Sequence, residues 1–577
     1  MEELHGNQRR VFQELNRVEG LGIDELGSFA TPSDTELSER HAGIVASLGG
    51  VEHPAAWQSA FRTWDGLRRT WRSWANLTRL RYSQDMRRED YRESQVQLDR
   101  RTPHVLSLDS AMKERFLASP QRPALESELG SQAFALWDAD VRSFDPAIAD
   151  DLVRESELAR EYSEMLATAT VQFAGETRPL GGLAAYFADA NRETRHAAER
   201  TRWLAFEERA EKLDQIFDAL VRLRDGMARK LGYANFIELG YRRMRRVDYD
   251  ADDVERYRDE VARVVVPVAQ RLVKRNGARG GYDPVYFWDE GSLGVEKRVV
   301  PLGDSDWILA RSREALLALD PELGAFSDVI IGRDLLDVAN RPGKALGAYC
   351  TQFPTRQVPF VFANFTGSRL DVKTLMHELG HAFQAWRSRE KTVLDYMSAT
   401  SESAEIHAMS LEYLSWPQME RFFGADAVAY RHEHLLDAVL FLPYGVAVDH
   451  FQHLVYAHPS ATPAERHEMW KEMERRYLPW REYGDLAFPG KGGLWQEKRH
   501  IYLTPFYYID YTLALCCALQ FWARADDDRE ETLAAYVALC TRGGEAPFSE
   551  LVRSAGLRSP FESGALADVV NAVSAAS

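Results

Sequence analysis

The sequence predicts a mainly α-helical protein, and three observations carry that expectation. Trp57, Phe61, Trp64, Leu67, Trp71, Trp74, Leu77 and Leu80 recur at steps of three and four, drawing one apolar stripe along a long helix. A second stripe runs through Trp203, Phe206, Ala210, Leu213, Phe217, Leu220 and Met227, with Gly232 where a helix stop belongs. Strand-forming runs, by contrast, are confined to two short regions.

In chain order, Met1 to Leu15 is polar and lacks the apolar run of a secretory leader. Along the first stripe, Arg62, Arg68, Arg69, Arg72 and Arg79 fill the other face, read as a solvated surface rather than a nucleic-acid platform. Gly175, Pro179, Gly181 and Gly182 cluster before helices resume. They divide the chain into an N-terminal helical region, 1–195, and a second unit, 196–577. Between Gly280 and Asp306, Val285-Tyr286-Phe287 and Val299-Val300 read as strands punctuated by glycine. Ala348 to Phe365 is the second strand region, and Val358 to Phe365 precedes the turn Thr366-Gly367-Ser368. Pro359 cannot donate to a ladder, which predicts an edge strand there.

Composition excludes several classes. Of 577 residues, 71 are Lys or Arg and 88 are Asp or Glu, a net charge of −17 that argues against a nucleic-acid binder. Hydrophobic residues at 45% and charged residues at 28% are ordinary for a globular chain and exclude wholesale disorder. Cys350, Cys516, Cys517 and Cys540 are too few and too unevenly placed for a disulfide framework or a cysteine zinc site. The longest nearly apolar stretch, Tyr511 to Ala523, is about 13 residues, short of the ~18–20 that span a bilayer. The expected setting is soluble, reducing and cytoplasmic, with no membrane partner.

The chemistry concentrates after residue 370. Asp371 can cap a helix that runs to Arg389 and carries His377-Glu378-Leu379-Gly380-His381. Residues four apart lie one turn above each other, so His377 and His381 can offer imidazole nitrogens to one metal ion. Glu378 follows one position later, beside the open coordination place, where it can take a proton from water. A third protein ligand is needed. Downstream, Ser401 to Glu412 reads as a helix in which Glu405 and Glu412 share a face, while His407 points about 200° around the axis. Glu402, on the same predicted helix, is a further candidate. Glu412 or Asp371 can orient a ligand imidazole from behind. Gln384 and Arg387 stand where the metzincin extension needs Gly and His, which removes that class. His432, His434, His450, His453 and His467 receive no role.

The segment His377 to His381 with Glu405-Ile406-His407-Ala408-Met409-Ser410-Leu411-Glu412 resembles the thimet oligopeptidase and oligoendopeptidase F family, M3, of zinc peptidases. The likeness extends to Gly347-Ala348-Tyr349-Cys350, Val361 to Gly367, and His500 to Tyr511, covering about residues 200–560. It implies a two-lobed, ellipsoidal helical body split by a deep substrate channel, with the small sheet and the motif helix inside it. It implies one zinc ion per chain on His377, His381 and Glu405, with Glu378 as the base. It also implies His500, Tyr508 and Tyr511 as hydrogen-bond donors to the oxyanion, with Tyr507 or Tyr502 as alternatives to Tyr508. The spacing between the histidine and its tyrosines departs from the thimet branch.

The implied activity is endopeptidase cleavage of short peptides, with oligopeptides as partners and Val358 to Phe365 pairing with the substrate backbone by strand addition. Two other functions remain open at this point. A metallocarboxypeptidase of similar build would need a cation placed for the substrate's free carboxylate. A non-catalytic helical peptide-binding protein would have no use for an intact Glu378. The sequence carries no signal for oligomeric state.

Overall fold

A computed structural model describes residues 32–48, 53–293 and 299–576 and is mainly helical. The polar segment Met1 to Leu15 lies outside the described residues. The first stripe becomes one helix, Pro54–Gln84. Its first half, from Trp57 to Leu67, packs with Phe116, Phe134 and Trp137 in a small core that also holds Val393 and Tyr396. Leu77 and Leu80 belong instead to the main core. One helix thus ties two apolar cores together.

Its arginine face differs from the expected solvated surface. Arg68 binds Asp395 through two 2.8 Å hydrogen bonds, and Arg69 binds Asp65 at 2.7 Å. Aspartates from the same helix and from a remote turn cover these cations, which sequence spacing alone does not reveal. The second stripe is likewise carried by two helices, Arg192–Glu207 and Ala210–Lys230, separated by a turn at Glu208 and Arg209. Gly232 does close the second, at φ +85°, where Tyr233 donates back to the Ala228 carbonyl at 2.9 Å.

The glycine cluster near residue 175 folds as a hairpin of β1 (Thr170–Phe173) and β2 (Glu176–Pro179). Ala174 and Gly175 turn it with positive φ, and a 3₁₀ turn, Leu180–Tyr186, follows. The strands expected between Gly280 and Asp306 are not found among the described residues; Phe287–Ser292 is a 3₁₀ turn instead. Buried Asp289 accepts from Arg192, Arg195 and the Tyr286 amide, and those bonds hold the chain folded back on itself.

The main sheet has β3 (Leu336–Ala339), β4 (Tyr349–Phe353) and β5 (Val358–Phe365) in the order β3-β5-β4. β5 is central, parallel to β3 and antiparallel to β4, which corrects the edge assignment drawn from Pro359. The Val361 amide donates to Leu335 on the β3 side, so residue 359 would point its amide the same way. Pairing with β3 begins only at Val361, and the missing donor costs no ladder bond there. The edge strands are β3 and β4, and β4 is the one whose residues line a large cavity. No described helix is long and apolar enough to cross a membrane.

Candidate active site

The turn after β5 leads into the motif helix, Arg369–Arg387. Ser368 is its N-cap, and Asp371 lies three residues further in. Asp371 reaches back to accept from the Thr366 and Gly367 amides at 3.0 and 2.7 Å, satisfying the entry turn rather than a ligand histidine. The helix buries Val372, Leu375, Met376, Leu379 and Phe383 and presents His377 and His381 partly exposed. A second helix, Ser401–Leu414, crosses it closely. Gly380 sits at that crossing, where an added Cβ would stand 2.6 Å from both the Ala408 Cα and the His407 carbonyl oxygen. Only a residue without a side chain allows the approach.

That approach brings Glu405 to the histidines. Its Oε2 lies 3.2 Å from His377 Nε2 and 3.6 Å from His381 Nε2. Ligands about 2.0–2.1 Å from a tetrahedral zinc stand ~3.3–3.4 Å apart, so the spacing fits such an ion. Glu405 Oε2 is also buried with no hydrogen-bond partner, while its other oxygen accepts from the Tyr507 hydroxyl. A buried, unpartnered carboxylate oxygen facing two imidazoles is a donor set that suits a cation. Among the described residues, His377, His381 and Glu405 form the one cluster of this kind. Glu402 lies apart from it, bonded by Thr400 at 2.6 Å, and burial together with Asp510 pushes its pKa up to about 8.

Behind the histidines Glu412 takes the orienting place that the sequence offered it, and it joins His434, to which the sequence gave no role. His377 Nδ1 bonds Glu412 Oε1 at 2.7 Å, and buried His434 Nε2 bonds Glu412 Oε2 at 2.9 Å. The Trp416 indole donates to His434 Nδ1 at 3.1 Å. Indole only donates, so the His434 proton sits on Nε2 and is given to Glu412. Glu412 in turn accepts a hydrogen bond from His377 Nδ1–H, which leaves the Nε2 lone pair facing Glu405. Burial lowers the pKa of His434, which keeps it neutral. His453 belongs elsewhere, within a buried group of Tyr241, Arg258 and Asp449.

On the opposite wall, the Tyr511 hydroxyl meets His500 Nε2 at 3.3 Å, and the His500 ring stacks on Tyr507. Burial, with Arg499 and Lys498 nearby, brings His500 down to about 3, so it is a neutral imidazole with one N–H to give. Tyr508 faces a smaller cavity beside Phe441 and Lys373, and burial raises it to about 12. Tyr502 is core, stacked on Tyr162 at 4.0 Å.

A cavity of about 890 Å³ runs between the Pro54–Gln84 helix, the outer edge of β4 and the motif helix. A second, of about 290 Å³, shares His377, Glu378, His500 and Tyr511 with it. His377 and Glu378 therefore stand where the two cavities meet to form one passage, and His381 and Glu405 line the larger of them.

A helical body, a sheet edge and a His-His-Glu cluster on the wall of a large cavity define a protein of the metallopeptidase class. The chain belongs to peptidase family M3: the family profile "Peptidase family M3" matches residues 322–570, and "Peptidase M3 N-terminal domain" matches 28–144. It is 41% identical to a solved structure assigned as an oligoendopeptidase F, over 96% of this chain and 98% of that one, with TM-score 0.94. It is 39% identical to Pz peptidase A solved with an inhibitor, over 95% and 98% of the two chains, with TM-score 0.94. An assigned oligoendopeptidase F from Bacillus anthracis is 37% identical over 95% and 96%, with TM-score 0.89. No curated protein sequence matches the chain.

Proposed function

We propose that this M3 peptidase holds one zinc ion on His377, His381 and Glu405 and cleaves internal bonds of short peptides. The observation that carries the proposal is the convergence of those three ligating atoms, all within 4.8 Å of one another, on the wall of the larger cavity. Zinc, which this imidazole and carboxylate set suits, supplies Lewis acidity toward a carbonyl oxygen and lowers the pKa of water when bound.

The chain's own groups supply the rest. Glu378 is 3% exposed, burial raises its pKa, and its Oε2 has no partner, so it is free to accept a proton. It takes that proton from water as the water oxygen bonds the carbonyl carbon, then returns it to the departing amine nitrogen as the C–N bond breaks. His500 and Tyr511 donate to the carbonyl oxygen as it gains charge. The outer edge of β4, rather than the central β5, pairs with the substrate main chain, which accepts many side chains. The bounded passage suits short, unfolded peptides.

Family membership and an intact Glu378 favour this reading over a metallocarboxypeptidase or a non-catalytic peptide binder. The division at residue 195 is part of the same proposal, supported by family matches on either side of it. Four free cysteines suit a cytoplasmic setting. The test is Glu378→Gln, assayed on an internally quenched peptide blocked at both ends. Turnover should fall by about 10²–10⁴, and near-normal turnover would overturn the proposal.

A further inference from the structure

Four guanidiniums line the larger cavity: Arg72, Arg243, Arg245 and Arg499. Three are engaged. Arg243 binds Glu155 at 2.8 Å, Arg245 binds Asp140 and lies 3.1 Å from Asp395, and Arg499 donates to the Leu346 carbonyl at 2.6 Å. Arg72 has no carboxylate within ion-pair distance among the described residues. Its surroundings explain why none is left over. Asp65, Asp109, Asp140 and Asp395 are shared among Arg68, Arg69, Lys113 and Arg245, each anion meeting at least two cations. Arg72 is the fifth cation beside a network of four cations and four anions.

A half-buried guanidinium with five donors and no carboxylate in contact with it is costly to keep. Burial pulls its pKa down to about 10, with Asp395 opposing and Arg245 and Arg68 adding to the fall; it is still protonated at neutral pH. Its position is informative. Asn76, one helical turn on, donates to the Gln352 carbonyl at 2.9 Å, so this face of the helix lies along the end of β4. Arg72, the β4 residues Tyr349 to Gln352 and both ligand histidines line this one cavity.

We infer that Arg72 is a specificity residue that binds a carboxylate of the peptide substrate within the channel. The inference rests on the peptidase reading above and adds what the passage selects. Two carboxylates carry this chemistry, the chain's free C-terminus and an acidic side chain. Arg is suited to either, because its fork meets both oxygens at once.

The test uses full-length enzyme and internally quenched peptides sharing one cleavable core. One pair differs only in a free or amidated C-terminus. A second set, all amidated, places Glu or Gln in turn at each position flanking the scissile bond. The readout is the ratio of kcat/KM within each pair. Wild type should favour the carboxylate member by about tenfold or more in one pair, carried mainly by KM. Arg72→Gln should bring that ratio close to one, and Arg72→Lys should keep part of it. The pair that responds identifies which carboxylate is bound. Equal rates within every pair for wild type, or a preference that survives in Arg72→Gln, overturns the inference. Absence of cleavage by wild type would instead strike the peptidase reading itself. Matching thermal melts of the variants confirm that each ratio comes from a folded enzyme.

Discussion

Gly380→Ala is the sharpest structural prediction. A Cβ at this position would stand 2.6 Å from the Ala408 Cα and the His407 carbonyl oxygen, both backbone atoms of the Ser401–Leu414 helix. Carbon atoms need ~3.5 Å, so the two helices must part by about 0.9 Å, and no side-chain rotation can relieve the overlap. Carried through to Glu405, that shift widens the 3.2 Å gap between Oε2 and His377 Nε2 to ~4 Å, beyond the ~3.4 Å edge of a zinc tetrahedron. On propensity alone, alanine would favour the helix by about 1 kcal/mol over glycine. Overpacking costs ~1–3 kcal/mol or more and outweighs it. Gly226, in the Ala210–Lys230 helix, is the control, because a Cβ added there would meet nothing within 4 Å. Thermal melts and chelator competition on both variants provide the assay. Gly226→Ala should melt at or above wild type with metal affinity intact. Gly380→Ala should melt lower and lose at least about tenfold in metal affinity. If Gly380→Ala instead bound metal normally and melted with Gly226→Ala, the close crossing would not be what sets the site.

Tyr511→Phe should lower kcat by about 10²–10³ with little change in KM, because its hydroxyl acts where charge develops. Tyr508→Phe, whose ring lines the smaller cavity only, should cost less, and steady-state kinetics separate the two. Acid stability offers another check through buried Glu155. Burial works against its charge, but Arg243 and Arg224 prevail and hold its pKa at about 2, against 4.5 unfolded. The folded state therefore binds fewer protons than the unfolded one between those values, so this stabilisation, ~3 kcal/mol, is complete above the unfolded pKa and lost as pH falls through about 2. Glu155→Gln should melt lower than wild type at pH 7, with the gap closing between pH 4.5 and 2. A gap that stayed constant over that range would contradict the assignment.

What the sequence made legible was local. His377 and His381 are one turn apart, and Glu405 and Glu412 two turns apart, so helical geometry alone fixes which side chains share a face. The long stripe on Pro54–Gln84 was readable for the same reason. The misreadings arose wherever the deciding partner is remote. Arg68 looked solvated because its carboxylate, Asp395, stands 327 positions away. β5 looked like an edge because Pro359 shows a missing donor but not where β3 begins. His434 gave no signal, since its meaning comes from Glu412 on another helix and from the indole of Trp416. Val285-Tyr286-Phe287 reads as a strand yet leads into the turn Phe287–Ser292, where Arg192 and Arg195 bind Asp289.

The most direct measurement is the metal content of purified protein, read per chain by elemental analysis. Wild type and Glu378→Gln should each carry one zinc ion, since the glutamate next to His377 is a base and not a ligand. Glu405→Ala should carry almost none, and Glu402→Ala should match wild type. Stoichiometric zinc in Glu405→Ala, or its loss only in Glu402→Ala, would contradict the assignment of the centre on which the proposed chemistry depends.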